Sequence, residues 1–523
     1  MLRIKIILTI FMLGMAVVSC DKTDLTIEEE EEVLTDDDQT TDEETEDSTT
    51  TESTKLYIKF NIETTYNPNI YENVAISVTN DDMGNDVNSE VISSTPYLTL
   101  TYTTNAEEVL VGTTPQISGE TLTDFTEPVE YTLKADDGET VETFTLNLTI
   151  VDYSVIPHIY ITVDDGSEVL LKEYYDATIW IDGGSDYDDL EEVTTRIKGR
   201  GNSTWSYPKK PYKLKLDSKA SIFGLTAAKE WVLLANYIDP TLMLNSMAMK
   251  AGAYLDVPHV NHMLPVDVTI NGQYKGSYTF TEQIEINEGR VDLSDEGYIL
   301  ELDTYMDEDY KQYSSYYSLP VMLKDGDVNS DAEFQVIMDE FNELEALIAS
   351  ATFPNNGYKD VIDIESVASF MLVNQLMENL EVTIHPKSTY IHKDVNSKFV
   401  MGPIWDFDWT CGYEFGSQHF SGGGVDIFSY SSSAGITKFF NQFFKDPEFV
   451  AIYQEKWSDF VTNNKLDFFE YAEEYYHTVT PSYNTNAEIW TNHSPTTFSS
   501  YYNSMITWFE NRITYVTGLV NNR

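Results

Sequence analysis

The chain has very little cysteine and very little positive charge. Its 523 residues include 2 Cys, and 31 Lys and Arg stand against 88 Asp and Glu, a formal net charge of −57. If Cys20 is modified as described below, Cys411 has no partner for an intrachain disulfide. A surface this acidic is a poor nucleic-acid binder, because phosphate contacts require clustered Lys and Arg. We therefore expect no nucleic-acid partner.

Long apolar runs are also scarce. The run at residues 6–18 is too short to span a hydrocarbon core about 30 Å thick, which takes roughly 20 helical residues. It follows the basic residues Arg3 and Lys5 and leads into Cys20, a pattern that resembles the lipobox of bacterial lipoproteins. We expect residues 1–19 to be a lipoprotein signal peptide. The resemblance implies a lipid on Cys20 that anchors the protein to the outer membrane or cell surface.

The segment after Cys20 is dominated by acidic residues. Residues 21–52 contain 16 acids and one Lys, and most of the rest is Thr and Ser. Such a composition cannot bury enough apolar surface to offset chain entropy, and repulsion between its like charges extends the chain. We expect residues 20–54 to form a disordered stalk that begins at the lipidated cysteine.

Residues 55–152 have the pattern of an all-β module. Apolar and polar residues alternate over 56–62 and 143–150, and Asp136-Asp137-Gly138 is a hairpin signal. About 100 residues with some seven strands is the size of an immunoglobulin-like sandwich. No cluster of titratable groups suggests chemistry, so we interpret this module as a spacer or adhesion domain.

Residues 153–523 begin with strands and continue with helices, which predicts an α+β domain. Asn271-Gly272 is typical of a type I′ turn between strands 266–270 and 274–281. Asp239 and Pro240 suggest an N-cap and first residue for a helix that continues to Leu255. Further strands are expected at 159–163, 177–181, 193–198 and 212–216, and further helices at 334–348, 364–379, 451–463, 466–476 and 497–515.

The segment Gly402-Pro-Ile-Trp-Asp-Phe-Asp-Trp409 contains two closely spaced acids. On an extended strand, Asp406 and Asp408 would project from one face about 7 Å apart, with the aromatic residues on the other. Carboxylate oxygens with phosphate oxygens are what Mg²⁺ prefers. The spacing is compatible with a metal site, and also with an ordinary acidic strand face.

The chain concentrates its few cations in one region. Residues 196–205 read RIKGRGNSTW, and residues 208–216 read PKKPYKLKL. The glycines permit close approach of the backbone, and Lys213 and Lys215 share one strand face. A glycine-containing loop followed by a strand lysine is a way to bind nucleotide phosphates. A basic strand that balances nearby acids has the same composition.

These residues also carry a family resemblance. The segments 199–205, 208–216, 231–239, 271–276 and 402–409 resemble, in order, those of the spore-coat protein H (CotH) kinase-like family. The resemblance implies a two-lobed, atypical protein-kinase-like domain over 153–523 that uses ATP and a divalent metal such as Mg²⁺. The strand-rich half followed by a helical half agrees with that order of lobes.

The resemblance also assigns roles to individual positions. Asp406 would be the catalytic, metal-binding aspartate, supported by Asp408. Glu282, after the hairpin, would lie near the adenine between the lobes. The residues implied to contact phosphates are Arg200, Asn202, Ser203, Lys213 and Lys215.

Four features depart from the family pattern. Leu244 stands where an arginine is expected, and residues 385–390 stand where a metal-binding asparagine would be useful. Glu381 stands where a catalytic-loop aspartate is expected, so its carboxylate could accept the hydroxyl proton from a different position. The helix predicted over 242–255 contains no acid to pair with a phosphate-binding lysine. The domain could therefore be a weakly active phosphotransferase.

Other functions remain open from the sequence. The 35 Tyr and 8 Trp and the β-module would suit a non-catalytic surface protein that binds polysaccharide or a partner protein. A glycosidase would use paired carboxylates facing each other across a cleft, whereas Asp406 and Asp408 share one predicted strand. A zinc site at His259 and His262 would lack further ligands close in sequence.

Overall fold

The structure is a computed structural model, which divides the chain into two units, Met1–Thr54 and Lys55–Arg523. The predicted signal peptide, Cys20 and acidic stalk lie outside the residues described. Within the described part of the chain, no helix is both long and apolar enough to cross a bilayer. The described residues are 55–67, 70, 73–93, 95–151 and 155–523.

The first region of the second unit consists of strands, which confirms the β-rich prediction. Its nine strands form two sheets, in the orders β2-β1-β4-β7 and β3-β9-β8-β5-β6. Alternate residues of β1, such as Ile58 and Phe60, are buried, and the Phe60 ring lies 5.1 Å from that of Tyr131. The strands are β1 Ile58–Ile62, β2 Val74–Val78, β3 Asp86–Ile92, β4 Tyr97–Thr104, β5 Glu108–Val111, β6 Thr114–Pro115, β7 Leu122–Asp124, β8 Val129–Lys134 and β9 Val141–Val151.

The next seven strands close into a barrel. Their order is β10-β11-β12-β13-β14-β16-β15, and β10 pairs with β15 in parallel to close it. The predicted hairpin is confirmed, since Asn271 and Gly272 both have positive φ and connect β15 to β16. Closure of the strands into a barrel was not predicted. The strands are β10 His158–Val163, β11 Tyr175–Asp182, β12 Leu190–Gly199, β13 Tyr212–Ala220, β14 Ala228–Leu234, β15 Leu264–Ile270 and β16 Gln273–Glu282.

One helix, α1 (Leu244–Tyr254), interrupts the barrel strands. The prediction placed its first residue at Pro240, four residues earlier, but Leu242 has a positive φ of 58° and the helix begins after it. Asp239 nevertheless stabilises the helix end, because its carboxylate accepts hydrogen bonds from the backbone N–H groups of Thr241 and Leu244, each at 2.8 Å. Asp239 therefore caps the helix although it lies five residues before the first helical residue.

A five-stranded antiparallel sheet follows the barrel, in the order β18-β19-β17-β20-β21. Its central strand β17 is buried along its whole length and carries Glu301 among apolar neighbours. The sheet was not predicted. Its strands are β17 Tyr298–Leu302, β18 Lys311–Tyr313, β19 Pro320–Gly326, β20 Thr389–Lys393 and β21 Phe399–Met401.

The remaining helices surround this sheet and complete the largest core. The five predicted helices exist, but α8 continues thirteen residues past the predicted end at Tyr476, through Pro481. Tertiary packing overrides the proline there: the Tyr483 ring stacks on Phe498 with centroids 3.7 Å apart. The helices are α2 Asp331–Ala349, α3 Ile364–Met377, α4 Glu381–Ile384, α5 Ile427–Tyr430, α6 Gly435–Phe443, α7 Pro447–Asp459, α8 Lys465–Ile489 and α9 Pro495–Val520.

Candidate functional site

A cavity of about 410 Å³ lies where the barrel meets the loops around β17 and β20. Seven of the chain's 31 cationic side chains line it, and seven carboxylates line it with them. The chain as a whole has nearly three acids for each base. Equal numbers of cationic and anionic side chains therefore distinguish this cavity from the rest of the molecule. The lining residues with charged side chains are Lys172, Lys198, Arg200, Lys209, Lys213, Lys324, Lys387, Glu301, Asp303, Asp307, Glu308, Glu381, Asp406 and Asp408.

The loop at 200–211 forms one wall, and Asn202 and Ser203 line the cavity. The Arg200 N–H donates to the Pro211 carbonyl at 3.2 Å, which closes the base of the loop. Gly201 has φ 83°, and a Cβ there would approach the Thr204 hydroxyl to 2.0 Å. The glycine is therefore required for the loop to fold back on itself.

The Arg200 guanidinium lines the cavity beside the Trp405 ring, 5.4 Å from its centroid. Burial lowers its pKa, an effect opposed first by the negative charge of Asp406. Among the described residues, no carboxylate lies within ion-pair distance of it. Arg200 is thus a cation at the cavity without a direct counter-charge.

Strands β12 and β13 bring further cations to the same wall. Lys198 pairs with Lys213 in the strand register, and like charges directly opposite are destabilising. Burial, then the charge of Lys213, lower the pKa of Lys198. The two lysines place adjacent positive charges on this wall of the cavity.

Glu230 on β14 is the partner of both predicted phosphate-binding lysines. Its carboxylate forms ion pairs with Lys213 and, at 2.6 Å, with Lys215. Lys213 lines the cavity, whereas Lys215 is not among the lining residues. The helix predicted over 242–255 contains no acid that could pair with these lysines. Glu230 on the neighbouring strand pairs with them instead, and it stands directly opposite Lys215 in the strand register.

The interpretation of the segment 402–409 as an extended strand is wrong. These residues form a loop and turn, and Asp406 has φ 68°, a conformation that costs a non-glycine residue roughly 1–3 kcal/mol and clusters at functional sites. Asn245 on α1 accepts a hydrogen bond from the Phe407 N–H at 2.9 Å, which holds the loop. The aromatic residues were expected on one face, and Trp405 and Phe407 are both buried.

The loop nevertheless brings Asp406 and Asp408 together at the cavity. Asp408 is buried, and burial, then the charge of Asp406 and a hydrogen bond between the two side chains, raise its pKa well above the ordinary value. No group of three or more acidic, His or Cys ligands occurs among the described residues. Two carboxylates fit Mg²⁺, which is commonly bound by one or two carboxylates together with substrate phosphates.

Glu381, the first residue of α4, also lines the cavity. Its carboxylate forms an ion pair with Lys387. Burial, then the charge of Asp406, raise the pKa of Glu381 to about 7. A carboxyl group with a pKa near neutrality is suited to accept and release protons at physiological pH.

Sequence reasoning missed a polar group at the end of β17. Asp303 accepts hydrogen bonds from the N–H groups of Tyr305 and Ser388, and burial raises its pKa to about 6. Glu301 accepts a bond from the Tyr390 hydroxyl at 2.7 Å and pairs with Lys324 at 2.9 Å. Alternation of acids in the apolar run at 298–303 was the available signal.

Glu282 does not line the cavity, in contrast to the prediction; its neighbour Gln283 does. Glu282 is buried and accepts hydrogen bonds from the backbone N–H and the Nδ1 of His262, at 2.9 and 2.6 Å. The partner lies 20 residues earlier and could not be inferred from local spacing. This pairing also leaves His262 engaged by a carboxylate, and His259 packs against the His392 ring instead.

Comparison with known proteins places the chain among its relatives. No curated protein matches it. A crystal structure described as a suspected glycoside hydrolase from Bacteroides thetaiotaomicron is similar at 13% identity, with 48% of this chain and 80% of that chain covered. Its TM-score of 0.11 is too low to support an argument. Residues 197–516, more than half of the chain, match the family model described as CotH kinase protein, so the chain belongs to the CotH kinase family.

Proposed function

We propose that this protein is a phosphotransferase that moves the γ-phosphoryl group of ATP to a hydroxyl group, with a divalent cation bound. The observation that carries the proposal is the cavity itself. Lys198 and Arg200, cations without an ion pair among the described residues, line the same cavity as Asp406 and Asp408. An anionic substrate bound with a cation satisfies both groups.

The barrel residues are assigned to the phosphates. Lys213 is oriented by Glu230, as a phosphate-binding lysine is oriented by a glutamate in protein kinases. The loop carrying Asn202 and Ser203 offers further donors. Asp406 and Asp408 would hold Mg²⁺, which neutralises negative charge on the phosphates. In this proposal the barrel and the helical region are the two lobes of a kinase-like domain.

Glu381 is assigned as the proton acceptor. The acceptor oxygen forms a bond to the γ-phosphorus while the bond from that phosphorus to the β–γ bridging oxygen breaks, and ADP leaves. The hydroxyl proton passes to the Glu381 carboxylate. Lys387, paired with Glu381, holds this carboxylate and adds positive charge beside the transferred group.

The proposal is tested by measuring ATP binding to the full-length protein with and without Mg²⁺, followed by transfer of labelled γ-phosphate. We expect binding that requires Mg²⁺ and slow transfer, since a glutamate replaces the usual aspartate. Absence of nucleotide binding would contradict the proposal. It would favour a non-catalytic surface protein that binds polysaccharide or a partner protein.

We also propose that the protein is anchored to the outer membrane or cell surface by a lipid on Cys20, with residues 20–54 as a stalk and an immunoglobulin-like module at 55–152. Acyl chains supply the free energy of membrane binding. Cys20→Ser should release the protein from the membrane fraction, measured by sedimentation of lysed cells. A Cys411→Ser control should remain there, and co-sedimentation of both variants would refute the anchor.

A further inference from the structure

Lys209 is a buried lysine without a counter-ion. It has no exposed side-chain surface, and among the described residues no carboxylate lies within ion-pair distance of it. Its ammonium group instead donates hydrogen bonds to the Ser277 carbonyl and, at 2.8 Å, to the Asn486 side-chain oxygen. It also lies 4.6 Å from the centroid of the Tyr278 ring.

This arrangement is costly for the fold. Burial lowers the pKa of Lys209 to about 7, and the more distant negative charge of Asp267 opposes that shift. A charge that is buried without a counter-ion is unfavourable. A methionine could fill the same space with no charge to desolvate. Stability of the fold therefore does not explain the choice of lysine.

The position of Lys209 suggests another reason. It lies near the end of the cavity loop 200–211, and its partners belong to β16 (Ser277) and α8 (Asn486). The Asn486 side-chain oxygen also accepts the Ser277 N–H at 3.2 Å, so this junction is shared by strand, helix and loop. The Lys209 side chain hydrogen-bonds to β16 and to α8 and so connects the loop to these two elements.

The neighbouring Lys210 makes its hydrogen bonds within the loop. The Lys210 ammonium group donates to the carbonyls of Trp205 and Tyr207, both at 2.6 Å, and lies 5.1 Å from the centroid of the Trp205 ring. The two adjacent lysines therefore have different roles. Lys210 closes the loop, and Lys209 attaches the closed loop to the rest of the domain.

We propose that Lys209 is a positioning residue that holds the loop 200–211 in the conformation that binds nucleotide phosphates. This inference rests on the proposed function, because it gives the loop a phosphate ligand. A loop fixed before binding loses less entropy when the ligand arrives. Lys209 borders the cavity, but its ammonium group is fully buried and bonded to Ser277 and Asn486. Its contacts therefore act on affinity through the loop residues Arg200, Asn202 and Ser203.

The test compares Lys209→Met with wild type in the full-length protein, by ATP–Mg²⁺ affinity, melting temperature and amide hydrogen exchange of residues 200–211 without nucleotide. We expect about tenfold weaker binding, faster exchange in the loop and a melting temperature within about 4 °C of wild type. Lys219→Met, which removes an exposed lysine from the same barrel, is the control and should change none of these.

Asn486→Ser provides an independent variant if Lys209→Met does not fold, since it shortens the acceptor and keeps the lysine. It should also weaken binding and speed exchange in the loop. Unchanged exchange and affinity in either folded variant would overturn the inference. If wild type does not bind nucleotide while exchange in the loop still rises in Lys209→Met, the proposed function fails and the positioning contact stands.

Discussion

The two walls of the cavity use charge in opposite ways. On the barrel wall, Lys198 and Lys213 stand opposite each other on paired strands, and Arg200 follows on the adjoining loop. On the other wall, Asp406 and Asp408 share a hydrogen bond and repel each other. Glu230 neutralises Lys213, but the adjacent lysines on one wall and the adjacent carboxylates on the other remain unfavourable without a ligand.

The walls also differ in what fixes them. Lys198 and Lys213 extend from regular strands, whose register sets their spacing. The acids extend from a loop in which Asp406 has a left-handed backbone, held by Asn245 of α1. The comparison suggests that phosphate binding is the more rigid part of the site and metal binding the more strained part. The predictions below test this division.

The largest effect is expected at the acidic wall. Asp406→Asn should weaken Mg²⁺-dependent ATP binding more than about 100-fold, because it removes a charged metal ligand and keeps the side-chain shape. Isothermal calorimetry with and without Mg²⁺ measures this. Asp186→Asn, at an exposed loop position, is the matched control and should bind like wild type. Equal affinity in the two variants would remove the metal site from the proposal.

Glu381 should affect the transfer rate more than binding. Glu381→Gln should reduce transfer about 10²- to 10⁴-fold and leave ATP affinity nearly unchanged, because the amide cannot accept the hydroxyl proton. Glu381→Asp should be no slower than wild type and could be faster, since aspartate restores the usual residue. Equal transfer by wild type and Glu381→Gln would show that another group accepts the proton.

The same residue predicts a pH dependence. The carboxylate must be ionised to accept a proton, and its pKa is raised to about 7 by burial and by Asp406. The rate should therefore rise about tenfold per pH unit below pH 7 and level off above it. The pH profile of kcat/KM for ATP in wild type, which reports the pKa values of the free enzyme, tests this. A transfer rate that does not change between about pH 5.5 and about pH 7 would contradict the role of Glu381.

Local sequence patterns predicted the regular parts of the molecule. The dipeptide Asn271-Gly272 predicted its hairpin, because a type I′ turn requires positive φ at both central residues and Asn and Gly adopt it most readily. The apolar stripe over 334–348 specified α2. Short helices such as α4 and α5 were not predicted, since four residues carry no period. Local spacing and composition singled out the acid pair Asp406 and Asp408 and the basic segment 196–216, and the family resemblance assigned them to one site.

Some of the residues that line the cavity were predictable, but its geometry was not. Asp406 and Asp408 do meet at the cavity, although alternating aromatic residues suggested a strand and the structure has a loop. The backbone of Asp406 is fixed by tertiary contacts that spacing does not encode. Glu230 and His262 were missed as partners for the same reason, since strand pairing and chain reversal bring them to Lys213 and Glu282.

The smallest effect separates two lysines on the barrel wall. Lys213 and Lys215 both pair with Glu230, so Lys213→Met and Lys215→Met each remove one of its two partners and are matched in their effect on that acid. Only Lys213 lines the cavity. A hydrogen bond to a charged group contributes about 1.5–3 kcal/mol, so Lys213→Met should weaken ATP binding roughly 10- to 100-fold, and Lys215→Met less than about threefold. Calorimetry under one set of conditions compares them directly. Equal losses would mean that Glu230, rather than direct contact from Lys213, transmits the effect to the phosphates.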